Sequence, residues 1–131
     1  MTDPRSLLPL TPLAFQVLLA LVDADRHGYG IIREVDQRTG GQVRLRTGTL
    51  YTLLPRLVEA AVVEPHSSAS SPEEQGDGYR EERTKDDPRR RYYRLTSFGR
   101  EVLRAETRRL ESLVADAQRK RVLGGESKVW P

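Results

Sequence analysis

Few residues in this sequence could do covalent chemistry. There is no cysteine among the 131 residues, which excludes disulfides, thiolate metal sites and cysteine nucleophiles. The two histidines, His27 and His66, stand in no metal-ligand or triad spacing. His27 precedes Gly28-Tyr29-Gly30, where a capping or turn role fits. Carboxylates abound, but no pair is spaced for acid–base work. The sequence therefore predicts no enzyme, no metal and no cofactor.

Other residues suit the binding of oxyanions. Arg46, Thr47, Gly48 and Thr49 open a helical pattern that continues through Tyr51, Thr52 and Arg56. A helix N-terminus presents free N–H groups and a partial positive charge, to which phosphate binds readily. Gly48 permits close backbone approach, Thr47 and Thr49 offer hydroxyls, and Arg46 and Arg56 bring charge. Tyr51 can give its hydroxyl to phosphate or a base edge, the competing role being a half-buried core aromatic. Thr47 also fits a helix cap. Arginine is the commonest reader of guanine in the major groove. A second cationic run, Arg89-Arg90-Arg91, suits phosphate or minor-groove contact, or it neutralises Asp86-Asp87 beside it.

The net charge of +3 is small, but its distribution is uneven. Residues 64–88 hold three basic side chains against eight acidic ones, and residues 89–123 hold eleven against four. The switch suits either a basic patch for a polyanion or, more simply on charge alone, a solvated helix laced with salt bridges, since Arg and Glu alternate through 100–111. No apolar run approaches the roughly 20 residues of a membrane span. Met1 to Leu10, with Asp3 and two prolines, does not resemble a secretory signal. A cytoplasmic protein without a membrane partner is the expectation.

The elements that must hold these groups follow from periodicity. Thr11-Pro12 opens a helix whose run Leu13–Val22 is apolar nearly all round, as a core helix is. Gly28-Tyr29-Gly30 turns into a second helix over about 29–39, stopped by Gly40-Gly41. A third runs from Thr47 to about Ala60, burying Leu50, Leu53, Leu54, Leu57 and Val58, with Pro55 expected to kink it. Val62-Val63 and 91–96 read as short strands flanking a mobile loop at about 66–90. In the second strand Tyr93 and Leu95 point inward. Thr96 or Ser97 caps a last helix over about 98–122. Its stripe of Val102, Leu103, Leu110, Leu113, Val114 and Ala117 is narrow and calls for a partner. Trp130 lies in the tail, 123–131.

This order predicts a mainly α fold with a small β wing: a winged helix-turn-helix over 10–97 with a C-terminal dimerisation helix. At this point the sequence resembles the PadR-like transcriptional regulators. Four segments carry the resemblance: Leu10-Thr11 with the apolar helix after it; His27-Gly28-Tyr29-Gly30-Ile31; Gly48-Thr49-Leu50-Tyr51 through Arg56-Leu57; and Arg91-Tyr92-Tyr93-Arg94-Leu95-Thr96 with Gly99-Arg100. The resemblance implies a dimeric cytoplasmic repressor of double-stranded DNA with the third helix in the major groove and the wing beside it. Tyr29 then joins Arg46–Thr49, Tyr51, Thr52, Arg56 and Arg89–Arg91 as a DNA contact. It further implies a C-terminal region that pairs subunits and can respond to a small-molecule effector, for which Phe15, Tyr29, Trp130 and the apolar part of the last helix are candidate contacts, the simpler roles being core packing for Phe15 and a tail position for Trp130. One departure is Ala61, where the family usually has a glycine closing the third helix, so a different turn is expected there. Another is the long acidic loop, either an insertion without a role or a shield over the basic face. A winged helix serving only protein contacts is the alternative, disfavoured by the arginines at 46, 56 and 89–91.

Overall fold

The first helix begins where Thr11 turns from extended backbone, its side chain accepting from the Ala14 N–H, and Pro12 supplies a preset φ. In this computed structural model, which describes residues 3–66 and 91–124, α1 spans Pro12–Ala20. Ala14, Val17, Leu18 and Ala20 are buried, so α1 forms the centre of the core. The Arg26 guanidinium donates to the Ala20 carbonyl at 2.6 Å and covers the helix end.

A two-residue strand, β1 (Arg26–His27), precedes α2 (Gly28–Arg38). The sequence pattern missed β1 because two residues carry no periodicity. His27 caps α2, its Nδ1 accepting from the Gly30 N–H at 3.0 Å. Arg38 pairs with Glu34 and donates to the Gln16 side chain at 2.7 Å, which ties α2 to α1. Next, α3 covers Thr47–Glu59 and keeps Pro55 inside an unbroken helical span. Leu50, Leu54 and Leu57 bury one face of it, while Leu53 and Val58 are only partly covered.

The second strand, β2, runs Val63–His66, leaving Val62 in the turn before it, and β3 is Tyr92–Leu95. The sheet order is β1-β3-β2, antiparallel throughout. Tyr93 and Leu95 face inward as their alternation predicts. Burial raises the Tyr93 phenol above its ordinary pKa, partly opposed by the positive charge of Arg91. On the sheet's other face, Arg94 pairs with Glu64 across β2 and β3.

The last helix, α4 (Ser97–Arg119), starts at Thr96, whose Oγ1 accepts from the Gly99 N–H at 2.8 Å. That hydroxyl also donates to the Ala61 carbonyl at 2.6 Å. Ala61 closes α3 at φ 66°, in the left-handed region. Its N–H donates to Val58 O, and the Val62 N–H donates to Leu57 O, which is the Schellman pattern. The turn thus keeps the geometry a glycine would give. Gly99 lies so close beneath it that a Cβ would sit 2.1 Å from the Val62 carbonyl oxygen.

One carboxylate belongs to the core. Glu106 on α4 is 2% exposed, accepts from the Leu10 N–H at 3.1 Å and forms a two-point pair with Arg109. The bonds from Arg109 hold its pKa below the ordinary carboxylate value; burial opposes them and loses. The N-terminal segment, with a 3₁₀ turn at Pro4–Leu7, packs on α4 here.

Three substitutions test this frame. Ala61→Gly should raise stability by about 0.5–1 kcal/mol, the relief of left-handed strain less the entropy glycine adds to the unfolded chain. Gly99→Ala should lower it by about 1–3 kcal/mol, since the atom it meets is backbone; urea melts compare the two. Glu106→Gln should cost about 1–3 kcal/mol at neutral pH. Because the folded pKa of Glu106 is depressed, its stabilisation is complete above the unfolded carboxylate pKa and fades as pH falls through the folded one. The gap between wild type and variant should therefore narrow below about pH 4 in melts across pH.

Candidate nucleic-acid interface

The start of α3 is open. Arg46 occupies the N-cap position on extended backbone, and no side chain caps the helix. Thr47 is the first helical residue, not the cap its type suggested. Arg46, Thr47, Gly48 and Thr49 are all exposed, so the first turn of N–H groups meets solvent on a positive helix end. Thr52 and Arg56 continue the exposed face. The Thr52 hydroxyl donates to Gly48 O at 2.9 Å, which leaves its oxygen as an acceptor. Among the described residues, neither Arg46 nor Arg56 makes an ion pair.

Tyr51 is a correction. Its hydroxyl oxygen is buried, and a Cβ on Gly28 would lie 1.9 Å from it. The ring end rests on the bare backbone at the start of α2 and fixes the angle between α2 and α3. The helical position of Tyr51, on the flank of the apolar stripe, allowed both roles; only the glycine's location resolves them. Tyr29, the second residue of α2, is 47% exposed. Arg91 is exposed just before β3, whereas Arg89 and Arg90 lie outside the described residues, as do most of the acidic loop and Trp130.

The end of the β2–β3 pair away from α3 and α4 holds a row that sequence reasoning did not find. His27, Tyr92 and His66 are aligned across the three strands by register. The His27 ring stands edge-on to Tyr92 at 5.4 Å, and His66 tilts against it at 6.0 Å. Asp25 Oδ2 lies 2.7 Å from His66 Nε2. Strand register alone brings these residues together, so spacing in the chain gave no signal for it.

An open groove of about 980 Å³ lies between the start of α1 and α3, with Pro12, Leu13 and Leu53 inside and Arg46, Thr49 and Arg56 beside them. Two troughs flank α4 near Arg100 and Arg104, one mostly polar and one mostly apolar, the latter lined by Val22, Leu95 and Leu103. None of these three includes Phe15 or Tyr29.

The expected dimer stripe divides in two. Val102 and Leu103 are buried by the chain's own core and are not free for a partner. Leu110 and Ala117 are partly covered, while Leu113 and Val114 are 51% and 53% exposed. The helical period could not mark where along α4 the first covering surface ends.

Helix, helix, helix, hairpin and long helix in this arrangement make a winged helix. The model of the transcriptional regulator PadR-like family matches residues 17–105. The chain belongs to that family. An uncharacterized protein of Lysinibacillus sphaericus is 31% identical over 87 residues, 66% of this chain and 67% of that protein. A transcriptional regulator from Clostridium thermocellum shares the fold with a TM-score of 0.58 at 20% identity, over 81% of this chain and 88% of that one. The complex structure of hsRosR-S4 aligns with a TM-score of 0.56 at 25% identity, over 90% of this chain and 98% of the other. This PadR-like protein is thus a transcriptional regulator, and its uncapped α3 lies where the helix-turn-helix places its reading helix. Among the described residues, no helix is long and apolar enough to cross a membrane, and no cluster of His, Asp and Glu could hold a metal ion.

Proposed function

We propose that this PadR-like regulator is a cytoplasmic homodimeric repressor that binds an inverted-repeat operator and is released by a small-molecule effector. In this reading α3 enters the major groove, with Arg46, Thr47, Gly48, Thr49, Thr52 and Arg56 against DNA. Tyr29 and Arg89–Arg91 reach phosphates beside it. The observation that carries the reading is the exposed first turn of α3, open at its N-terminus and flanked by two arginines that make no ion pair among the described residues. An α-helix fits the major groove, and a polyanion is the ligand that such a surface stabilises. Dimerisation is supported by Leu113 and Val114, exposed on the second half of α4 beside Leu110 and Ala117. Two copies of such a stripe would remove each other's apolar surface from water. Two α3 helices related by a two-fold axis then read two half-sites.

Fluorescence anisotropy of the full chain with its own promoter duplex, and with an unrelated duplex, tests the DNA reading across a salt series. Preferential, steeply salt-dependent binding to the promoter is expected. Arg46→Ala should weaken binding to both duplexes and lower the salt slope by about one. Arg56→Ala should also reduce the preference between them. Equal affinity for both duplexes would refute the assignment of sequence reading to α3.

Leu113→Glu should yield monomers in analytical ultracentrifugation with unchanged circular dichroism, because the residue is solvent-exposed in the protomer. A stable dimer would place the interface elsewhere.

A further inference from the structure

The groove beside α3 contains apolar surface that phosphate contact does not use. Leu13, at the start of α1, and Leu53, on α3, are only partly covered by the core they pack against. Leu53 follows Thr49 by four positions and precedes Arg56 by three, so the three share one flank of the helix. No acidic residue lines the groove, and Arg46 and Arg56 stand at its edge. An occupant suited to this surface combines an apolar group with nearby negative charge.

We propose that Leu13 and Leu53 read thymine. The C5-methyl group of a thymine in the operator half-site packs into this groove, while Arg46 and Arg56 hold the phosphates or base edges on either side. The inference rests on α3 being the DNA-reading helix proposed above. Thymine is the one base that presents an apolar group in the major groove. A DNA strand also supplies the phosphates that the two arginines lack as partners among the described side chains. Leu13 extends the reading surface beyond α3, so the first helix takes part in specificity.

The test uses the full-length protein. Duplexes enriched from a random-sequence library are resynthesised with each thymine in turn replaced by deoxyuridine, which lacks only the methyl group. At one or two positions in each half-site the replacement should weaken binding about fourfold, the factor for burial of one methyl-sized group. Leu53→Ala, and separately Leu13→Ala, should bind the thymine and uracil duplexes alike at a position each residue covers. The wild-type comparison needs no variant, so loss of folding in either variant does not remove the test. Specific binding that is indifferent to deoxyuridine at every position overturns this inference and leaves the DNA reading intact. Failure to enrich any sequence overturns both. If Leu53→Asp yields monomers where wild type sediments as a dimer, the groove is an interface between copies and the thymine reading falls.

Discussion

The geometry of this protein depends on how closely the start of α4 approaches the turn after α3. The Thr96 hydroxyl bridges the two, accepting from Gly99 N–H and donating to Ala61 O, while its backbone N–H donates to Val62 O at 3.1 Å. Buried polar groups at such a junction must find partners, and here each helix end completes the other. The approach is possible only because Gly99 has no Cβ. Through this contact the orientation of α3, the β2–β3 hairpin and α4 becomes a single variable. The Gly99 backbone meets the Val62 carbonyl directly, and the Thr96 hydroxyl joins the two sides.

The helix α4 has two roles along its length. Its first half is a core element, with Val102 and Leu103 buried and Glu106 holding the N-terminal segment by its Leu10 N–H. A lone buried carboxylate would be destabilising, but Arg109 and the backbone donor satisfy it together. Beyond Leu110 the described residues leave Leu113 and Val114 about half exposed, while the same apolar period continues. The change of role is set by the length of the domain that α4 crosses. This is why 102, 103, 113 and 114 look alike in the chain and differ in burial.

The helices were legible because each has a strong local signal: Thr11-Pro12 before α1, Gly28 through Gly30 at α2, the leucine spacing of α3 and Thr96 at α4. The strand alternation at Tyr93 and Leu95 was equally direct. The rest depended on contacts remote in sequence. β1 has two residues and exists because β3 lies beside it. Thr47 resembles a cap, yet the cap position falls one residue earlier, on Arg46, because the chain enters there in extended form. Ala61 departs from the usual glycine, and the turn nevertheless takes the left-handed form. Left-handed backbone costs an alanine about 1–2 kcal/mol. Bonds from Thr96 and the Leu57 and Val58 carbonyls outweigh that cost, so the surroundings impose the conformation and the residue tolerates it.

The segments that carry the family resemblance turn out to position backbone. His27 caps α2, Gly28 gives Tyr51 a surface to rest on, Thr96 caps α4, and Gly99 admits the turn beneath it. Tyr51 shows the distinction most clearly: its type suits phosphate, but its hydroxyl is buried against Gly28 at the start of α2. The exposed face of α3 is Arg46, Thr49, Thr52 and Arg56, with Leu53 at its edge; all but Arg46 fall within the third of those segments, but none of them positions backbone in the way that the first set does. These make few contacts within the protomer, so the fold places little restriction on their identity. A motif built from the first set identifies a scaffold and an approach angle to a ligand. The second set can then vary without loss of fold, and that freedom lets one scaffold present different surfaces at one angle.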